Sequence, residues 1–172
     1  MHFIGDNVGH RILILAALLA AGPAMVEDIQ YDNHTLQVED NAELRRILQI
    51  SGPLYQVRGS GQDLAGKARG CLAGIRGVSI LDAESDDVAV VSDARFDYRA
   101  MFSARSVRSR LSVQVGDGRF QLVHTQLGMA QAKGSEAADD AYVALLYRSG
   151  GSGDALDVLL AGEQGLVDCM YR

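Results

Sequence analysis

The chain has 172 residues, 48% of them hydrophobic and 22% charged, with a formal charge of −6 at pH 7. That length suits one domain able to bury a core, and the acidity argues against a nucleic-acid partner. Arginine outnumbers lysine 14 to 2, which fits a high-GC bacterial coding bias.

The first eleven residues form a leader that ends in His10-Arg11; Ile12 to Gly22 is then unbroken apolar or small. This is the n-region and h-region of a cleavable export signal. Gly22-Pro23-Ala24 supplies the small residues a signal peptidase reads, so cleavage is expected after Ala24, with Ala21 or Gly22 as alternatives. A helix of eleven residues rises only about 16 Å, roughly half a bilayer's hydrocarbon core, so a cleaved signal is expected over a retained anchor or a buried core helix, with no stable membrane span after cleavage. Residues 1–24 are thus read as signal peptide and 25–172 as one exported domain, periplasmic or extracellular. Cys71 and Cys169 both fall in the exported part, where an even count favours a disulfide over two buried thiols.

Val26 to Val38 carries scattered β-formers around Asp32-Asn33 and reads as a hairpin or an irregular lead-in. Asn41 to Ile50 places Leu44, Ile47, Leu48 and Ile50 near one helical face, stopped by Ser51-Gly52-Pro53, which predicts a short helix. A short strand over Leu54 to Arg58 precedes Ser60-Gly61-Gln62-Asp63, a capping-box pattern. Leu64, Ala68, Cys71, Leu72 and Ile75 then line one face of a helix ending at Gly74, so Cys71 points inward.

Val78 to Leu81 reads as a strand feeding a longer one, Val88 to Phe102, in which every even position except Ser92 is apolar and Asp93, Arg95, Asp97 and Arg99 take odd ones. Parity switches over Arg105 to Val115. A hairpin turning near Ser103-Ala104 sets Phe96 beside Leu111, Tyr98 beside Ser109 and Asp97 opposite Arg110. Asp117-Gly118 is a two-residue turn that pairs Val115 with Phe120 and Val113 with Leu122, giving a further strand to Leu127. Gly128 to Ser135 reads as loop and Glu136 to Tyr147 as helix. A last helix from Asp154 through Leu160 is expected to be interrupted at Gly162 and Gly165. The expected class is α+β: an antiparallel four- to five-stranded meander with helices packed on one face.

The stretches LYQVRGSGQDLAGKARGCLA, VVSDARFDYR and RLSVQVGDGRFQLVHTQL resemble a bacterial secreted domain of unknown function with a TATA-binding-protein-like fold. The resemblance covers roughly Leu54 to Leu127. It implies a fold and an exported address, and neither an activity nor DNA binding.

No HExxH, GxSxG, P-loop or GxGxxG pattern occurs, so neither a catalytic set, a metal nor a cofactor is assigned. The glycine clusters Gly59-Ser60-Gly61 and Gly150 to Gly153 read as helix punctuation rather than phosphate cradles. After export two histidines remain, His34 and His124. His124 falls on the inward face opposite Leu111, either as a core-edge histidine or as the general base of a small hydrolase.

Six arginines crowd into the 25 residues from Arg95 to Arg119, against Asp97 and Asp117. Strand parity places Arg95, Arg99, Arg108 and Arg110 on one outward face, which is either solvated, covered by another part of the chain, or a site for an anion. The function expected is a non-catalytic exported binding domain that holds an acidic protein or an envelope polyanion on this face. Two alternatives remain, an inhibitor or immunity-type protein of an envelope hydrolase, and a small hydrolase using His124.

Overall fold

The computed structural model describes residues 25–40, 44–100, 102–131, 133 and 137–172, so the expected leader and its cleavage site lie outside the described residues. From Met25 the chain opens as a hairpin of β1 (Met25–Tyr31) and β2 (His34–Asp40), with Asp32 at a positive φ in the turn. Aspartate accepts that conformation because its short polar side chain bonds locally.

β3 (Arg45–Ser51) stands where a helix is expected. Val38 pairs with Ile47 and Gln37 with Gln49, leaving Leu48 as an extra, bulged residue. The bulge brings two residues spaced by three onto one sheet face, the spacing that otherwise marks a helix. Ile47 and Ile50 are accordingly both buried, against Leu36 and Val38.

β4 (Tyr55–Gln56) leads into α1 (Gly61–Ala73), which carries the full capping box: Ser60 Oγ accepts from the Asp63 amide and the Asp63 carboxylate accepts from the Ser60 amide. Gly74 caps its end. β5 (Val78–Ile80), β6 (Ala89–Ala100), β7 (Ser103–Gly116) and β8 (Arg119–Ala130) form the expected antiparallel meander. Val115 pairs with Phe120, Val113 with Leu122 and Leu111 with His124, as the Asp117-Gly118 turn dictates. The β6–β7 hairpin is registered four positions away from the expected pairing. Phe96 faces Val107 rather than Leu111, Tyr98 faces Arg105 rather than Ser109, and Asp97 faces Ser106 rather than Arg110. Alternation fixes which face a side chain takes, and an even shift leaves that unchanged while moving every partner.

Near its end β8 bulges. Arg108 pairs with Gly128 and Arg110 with Thr125, so Ser109 is opposed by two residues, Gln126 and Leu127, with Gln126 at φ 51°. β8 therefore runs on to Ala130 with reversed parity, burying Leu127 and, where a loop is expected, Met129. The expected helix from Glu136 to Tyr147 begins outside the described residues, and its remainder is instead a strap: a single 3-10 turn, Asp139–Ala141, then β9 (Val143–Ala144) on β8. β3 pairs with β8 only over Gln49–Ser51, and the strap enters the gap beyond, where the Ile47 amide bonds the Leu145 carbonyl at 2.9 Å and the Tyr147 amide bonds the Arg45 carbonyl at 2.7 Å. Tyr142 and Leu145 are the strap's buried anchors; of the residues whose spacing suggests a helix, Ala137, Ala141, Ala144, Leu145 and Tyr147, only Leu145 is buried.

The final helix, α2 (Ser152–Tyr171), is uninterrupted. Gly162 is a notch in it: a Cβ there would lie 2.7 Å from the Phe96 ring, so glycine is what lets the ring approach. The sheet order is β1-β2-β3-β8-β7-β6-β5, with β4 and β9 also on β8, nine strands among the described residues rather than four or five. Both helices pack on one face, so the α+β class holds with a wider sheet. Cys71 of α1 and Cys169 of α2 form a disulfide. Among the described residues no helix is long and apolar enough to cross a membrane.

Candidate functional site

Two polar assemblies meet at the β8 bulge, one on the open face of the sheet and one buried beneath α2. On the open face Arg95 of β6 lies directly opposite Arg108 of β7, and like charges in that position repel. The strap relieves them. Asp139 Oδ1 accepts from Arg95 Nη2 at 2.7 Å and from Arg108 Nη1 at 3.4 Å. The Tyr142 ring lies under both guanidinium groups, its centroid 4.4 Å from Arg108 and 5.8 Å from Arg95. Tyr142 is held in turn by its hydroxyl, 2.9 Å from Ser106 Oγ. Arg110 is turned to Asp93 at 3.3 Å and to both oxygens of Glu84 at 2.7 and 3.0 Å.

The result is a pocket of about 260 Å³ lined by Arg95, Arg108 and Arg110 together with Asp93, Ser109, Gln126 and Asp139. Three of the four outward arginines converge here. Arg99 does not: it lies opposite Ala104, exposed and farther along the hairpin, with no ion pair among the described residues.

Beneath the bulge, Ser109 Oγ is 2.8 Å from His124 Nδ1. His124 Nε2 is 3.5 Å from Glu163 Oε2, and His34 Nε2 is 3.2 and 3.1 Å from the two Glu163 oxygens. A ring nitrogen between two carboxylate oxygens must carry the proton, so His34 donates from Nε2. Exposure is 3% for Ser109, 1% for His124 and 3% for Glu163. Burial pushes the Glu163 carboxyl up, but bonding and attraction from His124 and His34 outweigh it and hold the group below the usual carboxylate range. Space for the carboxylate is left by Gly52, where a Cβ would come 2.7 Å from Glu163 Oε1.

A serine, a histidine and a glutamate in contact is the set a hydrolase uses, and His124 is where the sequence places its candidate base. The arrangement differs from a working one in two respects. Here the hydroxyl meets Nδ1 and the carboxylate Nε2, and all three residues are almost fully buried. What the geometry does provide is a clamp that ties α2 to β2 and β8 through one buried charge. Among the described residues no group of three or more His, Cys, Asp or Glu is placed to hold a metal ion.

Sequence reasoning singled out His124 and the arginines but missed Glu163, Ser109 and the role of His34. A signal for Glu163 exists: Leu156, Leu159, Glu163, Leu166 and Met170 lie along one helical face, and a carboxylate within an apolar stripe requires a partner.

The solved structure of a TBP-like protein from Parabacteroides distasonis aligns with a TM-score of 0.51 at 6% identity, over 83% of this chain and 96% of that one. The chain has a TBP-like fold. A protein of the DUF4468 family from Bacteroides ovatus aligns with a TM-score of 0.49 at 11% identity, over 78% of this chain and 91% of that one. No family model and no curated protein matches the sequence. In this TBP-like sheet the helices cover the face that holds the Glu163 clamp, and the arginine pocket lies on the opposite face under the strap.

Proposed function

We propose that the chain is an exported, non-catalytic binding domain that takes an acidic group of a partner into the pocket between Arg95 and Arg108. The observation that carries this reading is that two guanidinium groups, opposed across the sheet, share a single oxygen of one exposed carboxylate. Guanidinium forks match carboxylates bidentately, so this pair has donors left over for an incoming acid. Export is supported by the signal-like run at residues 12–22 and by the Cys71–Cys169 disulfide, a bond that persists in oxidising compartments. The acidic partner is a protein or envelope polyanion, and inhibition of an envelope hydrolase is one form such binding takes.

The test is affinity capture from envelope extract at moderate salt with the chain from Met25, wild type against Arg95→Gln/Arg108→Gln. A hydrogen bond between charged groups contributes roughly 1.5–3 kcal/mol, so the double variant is expected to lose at least about tenfold in affinity for what the wild type retains. Retention of every partner by the double variant defeats the reading.

A further inference from the structure

We infer that Asp139 is a tethered stand-in for the ligand, so that the arginine pocket takes the carboxylate of an acidic peptide segment and the strap competes with it for the same guanidinium groups. This deepens the proposed function and rests on it.

Three observations lead here. The group already seated between Arg95 and Arg108 is a carboxylate carried by main chain, and Asp140 comes directly after it. It is lightly held: the Asp139 side chain is 74% exposed, uses one oxygen on both arginines, and sits in a single 3-10 turn. Tyr142, by contrast, is anchored independently, through Ser106, the two guanidinium faces and the adjoining β9 pairing. Asp139 can therefore leave the pocket while the strap stays in the sheet.

The competition is mild by construction. Exposed ion pairs are weak, so a resident one lowers the apparent affinity of a competitor by about fivefold at most. A carboxylate entering in its place recovers the contacts given up and adds the second oxygen. A carboxylate is favoured over a tetrahedral phosphate here because the Arg95–Arg108 opening already accommodates an aspartate side chain.

The experiment uses the disulfide-bonded chain from Met25 and, as probe, an end-capped fluorescent peptide with the sequence of residues 137–142 (AADDAY). Its AANNAY counterpart and inorganic phosphate serve as comparisons. Wild type, Asp139→Asn and Arg95→Gln/Arg108→Gln are titrated, with thermal melts to establish that each is folded; the exposure of Asp139 makes its variant a mild one. Expected are binding of AADDAY and not AANNAY, about two- to fivefold tighter binding by Asp139→Asn, and loss of binding in the double arginine variant. If the arginine variant loses binding while Asp139→Asn equals the wild type, the stand-in is wrong and the binding reading survives. Phosphate displacing the peptide at equal or lower concentration overturns the carboxylate assignment. If no variant binds the peptide or phosphate above the level of the double arginine variant, both fall.

Discussion

Glu163→Gln removes a buried charge that joins α2 to the sheet while preserving the side chain's shape. The carboxylate accepts from His34 at 3.2 and 3.1 Å and lies 3.5 Å from His124. A carboxamide keeps one acceptor and turns a donor toward an imidazole N–H, so at least one charge-assisted bond is lost. Such a bond is worth roughly 1.5–3 kcal/mol, and part of that loss is offset because a neutral group no longer bears the burial penalty of an ion. The expected net loss is about 2 kcal/mol at neutral pH, which moves a urea midpoint down by roughly 1 M for a chain of this size.

The pH profile identifies the cause. The folded carboxyl is held below its ordinary value of 4.5, so between the two values the unfolded chain binds more protons than the folded one. The contribution of Glu163 is therefore complete above 4.5 and is lost as pH falls from there through the depressed folded value. Glu163→Gln has no such slope, and the gap between the two proteins should close on acidification. Denaturation curves of both proteins at neutral pH and at several acid values decide it. A gap that is constant with pH, or a variant as stable as the wild type at neutral pH, refutes the clamp.

Packing and covalent geometry set two further outcomes. Reducing Cys71–Cys169, whose partners are 98 residues apart, should cost about 4–5 kcal/mol by the chain-entropy argument, read as a drop in melting temperature with and without reductant. On α2, Gly162→Ala should destabilise by about 1–3 kcal/mol because its methyl meets the Phe96 ring, whereas Gly165→Ala, with nothing within 4 Å, should stabilise by roughly 0.5–1 kcal/mol; equal shifts in denaturant midpoint would contradict the notch.

Much of the architecture was legible because particular residues signal it locally. Ser60 with Asp63 marks the start of α1, Gly74 its end, and Asp117-Gly118 sets the β7–β8 register to the residue, including His124 opposite Leu111. The β6–β7 register was not legible, since its turn carries no comparable signal and alternation tolerates any even shift. β3 reads as a helix because a bulge buries Ile47 and Ile50 at spacing three, and the strap because Ala137, Ala141, Ala144 and Leu145 recur at helical spacing, although only Leu145 among them is buried. The glycines at 162 and 165 suggested a break in α2, yet a helix packed against a sheet and tied by a disulfide tolerates their weak propensity.

The end of readable alternation in β8 and the candidate site share a cause. The bulge at Gln126 and Leu127 ends the alternation that made β8 readable, and it sets two residues against Ser109, at the border of the pocket and 2.8 Å from His124. Near the same point β3 and β8 part company, which is what admits the strap that brings Asp139 and Tyr142 onto Arg95 and Arg108. Bulges are places where a strand re-aims side chains. Here one of them determines which residues of β7 meet the strap on one face and the Glu163 clamp on the other. Restoring a regular ladder by deleting Gln126 would be expected to displace both assemblies together, whereas changing either assembly's own side chains leaves the other in place.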